Sequence, residues 1–201
     1  IQYRAQNLNG HSASDLDLPV FNGKYSASCY IDGTISALSN MSENRGQSLP
    51  KLLKEASAVF MHRPFHKMPL NAFSISYLYA LANGDENENQ ELEDLIKEAD
   101  IEPEEIKMEL KEKPDLMLFL QTDINKDLFP KTSKALKSLN KIKTFKDKVL
   151  SKLKFGKELT KELGNIYSGS IFAWLAAGLE YSMKNGKTLN GKDALLIGYG
   201  S

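Results

Sequence analysis

Ala56-Ser57-Ala58-Val59-Phe60-Met61-His62-Arg63-Pro64-Phe65-His66-Lys67-Met68-Pro69 decides the reading of this chain. A short apolar run delivers a histidine to its end, and a proline and a lysine follow at once. The run predicts a strand over 59–61 that stops at His62, a placement that aims an imidazole into a cleft. Much later comes Gly164-Asn165-Ile166-Tyr167-Ser168-Gly169-Ser170, which sets an amide and hydroxyls at the opening of an almost wholly apolar helix. The two segments are expected to meet, with His62 beside Asn165.

Around them the chain reads as α/β. Residues 24–31 suit a strand or a strand entering a helix, and 32–38 the start of a helix. Ser48 is placed to cap a helix that has Pro50 in its first turn. Apolar spacing of three and four predicts a helix over 70–81 behind the histidine turn. Residues 165–183 read as a buried helix, and 194–197 as a buried strand running into a glycine turn. Strand, helix, helical insertion, helix and strand in that order give an α/β class. A domain rarely ends on such a strand and turn, so the chain is expected to be a piece of a larger protein.

Composition changes between the two motifs. Residues 85–100 are densely acidic, and lysines then recur from Lys134 to Lys154. Leu92, Leu95, Ile96, Leu136, Leu139, Ile142, Phe145, Val149 and Leu153 keep helical spacing, so 83–157 is expected to be a helical insertion with solvated outer faces, lying outside the core. Its opposite charges allow its halves to pack on each other. A docking surface for an acidic carrier is the alternative use of the lysines.

Several function classes are excluded by composition. Lys plus Arg equals Asp plus Glu at 26 each, so no net field draws nucleic acid or an anionic membrane. The longest apolar run, 171–179, is far too short for a bilayer span. A single cysteine, Cys29, rules out an internal disulfide and favours a reducing compartment. A cytoplasmic, soluble protein is expected. The three histidines, His11, His62 and His66, have no metal-ligand spacing with Cys29, and no phosphate-binding glycine loop occurs.

His62-Arg63-Pro64-Phe65-His66-Lys67-Met68 resembles the catalytic-histidine segment of 3-hydroxy-3-methylglutaryl-CoA synthases, usually Phe-His-x-Pro-(Phe/Tyr)-x-Lys-(Met/Leu). Pro19-Val20-Phe21-Asn22-Gly23-Lys24-Tyr25-Ser26 with Cys29-Tyr30 is similar to that family's Pro-Val-Val-Asp-Gly-Lys-x-Ser and Cys-Tyr. The 164–170 segment resembles its Gly-Asn-(Ile/Met)-Tyr-Thr-(Gly/Ala)-Ser, and Tyr199-Gly200-Ser201 the start of its Ser-Tyr-Gly-Ser-Gly. Four matches in order are specific where one would be weak. Asn22 in place of Asp, Met61 in place of Phe, and a histidine turn made more basic by Arg63 and His66 are departures.

The resemblance implies a partial thiolase-like fold, layered α/β/α/β/α and normally homodimeric. Residues 1–82 would close the first half and carry the catalytic histidine, 83–157 would be the insertion, and 158–201 would belong to the second half. It implies condensation of acetyl-CoA with acetoacetyl-CoA, or with a carrier-bound β-ketoacyl group in the relatives that build β-branches. Coenzyme A thioesters are substrates, with no cofactor and no metal. His62 would hydrogen-bond the acceptor carbonyl and act as an acid. Asn165 would hold a thioester oxygen or orient His62, and could also cap the following helix. Lys67 would lie near the coenzyme A phosphates, and Pro64, Tyr167 and Ser201 would contact substrate. The family's acetyl-carrying cysteine and its glutamate base have no counterpart here, since Cys29 matches a noncatalytic position. A third reading, a thiolase-fold subunit without catalysis, keeps the cleft and lacks the nucleophile.

Overall fold

The computed structural model describes residues 22–122, 125–163, 166–167 and 169–198. Helix α1 (Gly23–Asn44) starts where the Asn22 side chain accepts a hydrogen bond from the Tyr25 amide at 2.9 Å. This corrects the strand option for 24–31. Ser28, Ile31, Ile35 and Leu38 are buried at helical spacing, and the cap fixes the start. Asn and Asp serve almost equally as N-caps, so an Asp at this position would suit the same cap.

Helix α2 (Leu49–Glu55) begins as expected, with the Ser48 hydroxyl accepting from the Lys51 amide and a proline in the first turn. Strand β1 (Ala58–Met61) follows, every residue buried. Helix α3 (Lys67–Ala82) comes next, with Phe73, Ile75, Leu78 and Leu81 fully buried. It packs against α1, α2 and three later helices, α4 (Glu86–Glu98), α5 (Pro103–Lys111) and α7 (Pro130–Leu139). A helix apolar on all sides is a core helix.

The described residues of 83–157 are mainly helical, as their spacing predicts, with α6 (Leu116–Thr122), α8 (Lys143–Lys148) and a 3-10 turn at Leu150–Leu153 completing the set. Among the described residues this stretch contains no strand. Its inner faces do not stand apart, however. Leu92, Ile96, Ile106, Leu110, Phe129, Leu139, Phe145 and Val149 join the same buried cluster as Phe60 and Phe73. Acidic and basic halves do meet: Glu91 accepts from Lys148 at 2.7 Å, and Glu98 accepts from Thr144 Oγ1 at 3.2 Å. Glu109 caps α7 by accepting from the Lys131 and Thr132 amides at 2.9 and 2.7 Å.

A short helix, α9 (Leu159–Leu163), precedes α10 (Gly169–Lys184) and strand β2 (Ala194–Ile197). β2 pairs with β1 in parallel, Ala58 opposite Ala194 through Met61 opposite Ile197. The ladder is extended by Ser57 N–H to Asp193 O and His62 N–H to Ile197 O, both 2.9 Å. Two expectations are corrected here. α10 is buried on one side only: Trp174 is fully buried, whereas Phe172 and Met183 are 68% and 83% exposed. β2 likewise buries Leu195 and Ile197 and exposes Leu196. Unbroken apolar runs give no phase, so they cannot tell one covered face from two.

α10 lies tightly on β1. A side chain at Gly178 would put its Cβ 2.3 Å from Phe60 Cε1, and one at Gly156, whose φ is +67°, would meet the Ala177 backbone at 2.4 Å. Glycine permits that approach. The architecture is therefore α/β and predominantly helical, with a two-stranded parallel sheet among the described residues. No helix among them is long and apolar enough to cross a membrane.

Candidate active site

β1 ends at His62, and the backbone is pinned there from both directions. The His62 amide donates to Ile197 O, while the Tyr30 hydroxyl donates to His62 O at 2.5 Å. His62 as a whole is 8% exposed. Its Nδ1 lies 2.9 Å from Ser170 Oγ, and that oxygen accepts from the Arg63 amide at 3.2 Å. With one N–H already donating to it, the serine hydroxyl has its own proton to give, and Nδ1 is the acceptor in reach. Where the hydroxyl gives that proton to Nδ1, the ring proton sits on Nε2. Burial pushes the imidazole pKa below its ordinary value, and a backbone hydrogen bond with Tyr167 partly offsets this, so the neutral ring is favoured.

Arg63 stiffens the turn. Its guanidinium carbon sits 4.4 Å from the Trp174 ring centroid, and Nη2 donates to His66 Nδ1 at 2.6 Å and to His66 O at 3.3 Å. His66 is thereby held within the turn by Arg63. Trp174 is in turn fixed by an edge contact with Phe60, centroids 6.0 Å apart, and by donation to Phe155 O at 2.6 Å. Burial lowers the Arg63 pKa and the charge of Glu158 opposes this; a guanidinium remains a cation throughout. Arg63 Nε and Nη1 are buried without a partner among the described residues, an arrangement for which we have no physical account.

The structure places the expected site residues unevenly. His62 stands at the end of its strand as the apolar run predicts. Pro64 is half-buried in the bend between β1 and α3, where its fixed φ limits the turn. Lys67 is exposed at the first turn of α3. Tyr167 is 76% exposed and adopts a φ of +52°, so its backbone rather than its ring is turned to His62. Asn165 and Ser201 lie outside the described residues, and with them the expected pairing of Asn165 with His62.

Sequence reasoning passed over Ser170, Tyr30 and Trp174. Ser170 closes the same 164–170 motif that supplied Asn165 and Tyr167, and Tyr30 belongs to the Cys29-Tyr30 pair. The signal was present in both motifs, but polarity and known roles drew attention to their neighbours. Cys29 is a buried free thiol whose pKa is raised, chiefly by burial, which suits packing and not nucleophilic attack. Among the described residues no group of three His, Cys, Asp or Glu could hold a metal.

A strand-end imidazole kept neutral by burial and bonded to a serine from a second motif is a built hydrogen-bonding device, and the comparison with known proteins agrees with the motifs that frame it. The family model described as hydroxymethylglutaryl-coenzyme A synthase C terminal matches residues 13–201. No curated protein and no solved structure matches the chain. Both motifs of the site and the α1 segment fall inside the matched range, and the chain belongs to the hydroxymethylglutaryl-coenzyme A synthase family, as its C-terminal portion.

Proposed function

We propose that this chain supplies the acceptor side of a condensing enzyme that joins acetyl-CoA to acetoacetyl-CoA. The observation that carries the reading is the buried His62 ring, fixed through Nδ1 by Ser170 from a segment far along the chain. Such a ring offers Nε2–H to a ketone oxygen. As the acetyl carbanion attacks the ketone carbon, negative charge grows on that oxygen, and a preorganised donor stabilises it. A neutral imidazole acts here by hydrogen bonding; the glutamate base takes one proton from the acetyl methyl group and the alkoxide takes up one, so the condensation leaves the proton count unchanged. The substrate oxygen competes with the Tyr167 backbone bond at the exposed turn.

The other parts follow the same scheme. Lys67 meets a coenzyme A phosphate as a point charge, Pro64 holds the turn, Tyr167 and Ser201 border the thioester, and Asn165 donates to its oxygen. The acetyl-carrying cysteine and the glutamate base lie outside residues 1–201, in a thiolase-like homodimer that needs no cofactor beyond its coenzyme A substrates. Residues 1–82 and 158–201 belong to its two halves, and 83–157 is the insertion between them.

Ser170 provides the test. Ser170→Ala removes the hydroxyl that fixes the ring and touches no substrate atom. In the complete enzyme it is expected to lower kcat for condensation about tenfold while KM for acetyl-CoA stays near its normal value, and Ser170→Thr is expected to restore part of the loss. The scale is a fraction of the roughly 10² to 10⁴ carried by a positioned acid or base. Unchanged kcat in Ser170→Ala sinks the proposed role of the serine.

A further inference from the structure

At the end of β1 opposite His62 lies a cavity of about 710 Å³, bordered by Ala56 and Ser57 before the strand and by Lys192 before β2. That volume is within the range of small-molecule sites. Six lysines line it against three carboxylates, in a chain whose charges balance overall. The carboxylates are already engaged. Glu91 holds Lys54 and Lys148 at 2.8 and 2.7 Å, Asp147 holds Lys143 at 2.8 Å, and Glu55 holds Lys51 at 3.8 Å.

The remaining lysines have no ion-pair contact with a carboxylate among the described residues. Lys152 donates to Lys54 O at 2.8 Å and to Ala56 O, carbonyls that carry no net charge. Burial chiefly lowers the Lys154 pKa, the neighbouring Lys187 ammonium adds to this, and the charge of Asp147 opposes it only in part. Among the described residues neither Lys154 nor Lys187 nor Lys192 forms an ion pair with a carboxylate. Two ammonium groups facing each other in a cavity repel, and an anion between them removes the repulsion.

We propose that this cavity binds a small phosphate-bearing anion, held between Lys154 and Lys187 with Lys192 at the rim. A small ligand fits better than an acidic protein segment because these lysines border one cavity of small-molecule size, and tetrahedral phosphate accepts from several lysines at once. The inference is independent of the condensation chemistry, which lies at the other end of the strand.

Titration calorimetry of the chain with inorganic pyrophosphate tests it, with sulfate at matched ionic strength and a glutamate-rich peptide as comparators. One pyrophosphate per chain is expected, bound more tightly than sulfate, with affinity falling as salt rises. The double variant Lys154→Gln, Lys187→Gln is expected to bind at least tenfold more weakly and to melt at the same or a higher temperature, since it loses a repulsion. Lys137→Gln with Lys141→Gln, outside the cavity, should bind normally. Equal binding by the cavity variant, equal affinity for sulfate, preference for the peptide, or no binding at millimolar pyrophosphate would each overturn the proposal.

Discussion

In the complete enzyme, His62→Ala is expected to slow condensation by roughly a hundredfold or more while acetylation of the nucleophilic cysteine proceeds nearly as before. The separation follows from position. On the proposed reading His62 meets the acceptor ketone, whose oxygen gains charge only when the carbon–carbon bond forms, so its loss falls on that step. Acetylation is over by then. Labelled acetyl-CoA distinguishes the two: label fixed on the protein reports the first half-reaction, and label in the product reports the second. Asn165, if it holds a thioester oxygen, behaves differently, because both half-reactions pass through a thioester. A His62→Ala enzyme that condenses at the normal rate leaves the imidazole with only a structural part at the end of β1.

Trp174→Ala is expected to be the most destabilising single change near the site, at about 3 to 5 kcal/mol. The indole is fully buried, so truncation empties a volume walled by Phe60 and by the Arg63 guanidinium. It also strips Phe155 O of its donor and Arg63 of the ring that receives its charge. Urea unfolding of the chain measures the loss. Trp174→Phe, which keeps an aromatic face and forfeits only the N–H, should retain about half or more of that energy. A midpoint in Trp174→Ala within the scatter of the parent's would contradict the packing described for α10 on β1.

How much of this was legible in the sequence depended on whether the deciding force was local. Capping and turn chemistry is local, so Ser48 with Pro50 located α2 and the apolar run located β1. Helical spacing likewise disclosed 83–157 as helices. Which way their apolar faces point is set by partners distant in the chain, and the spacing alone suggested an outlying insertion where the structure shows Leu92, Phe129 and Phe145 in the common core. Residues 24–31 misled because Tyr, Cys and Ile have good strand character, and the Asn22 cap that decides for helix acts from just outside the segment. At the site, the sequence named His62 because a histidine ending an apolar run is conspicuous. It did not name Ser170, since a serine in the first turn of a helix has an ordinary local explanation and its bond to Nδ1 spans the whole of the intervening chain.

The protonation state of His62 is the most direct measure of the account, because the proposed chemistry requires a neutral ring with its proton on Nε2. Nitrogen-15 NMR of the histidine ring, followed from pH 8 downward and assigned by His62→Gln, reads the tautomer and the titration together. The account predicts the Nε2–H form near neutrality and a midpoint below the ordinary imidazole value of 6.5, since burial disfavours the charged ring. Linkage fixes the accompanying stability change. The unfolded chain takes up a proton near 6.5 and the folded one only at lower pH, so His62 costs nothing above that value and weakens the fold as pH falls through the window beneath it. An Nδ1–H tautomer, or a midpoint raised above 6.5, would contradict the bond from Ser170 and with it the donor role assigned to His62.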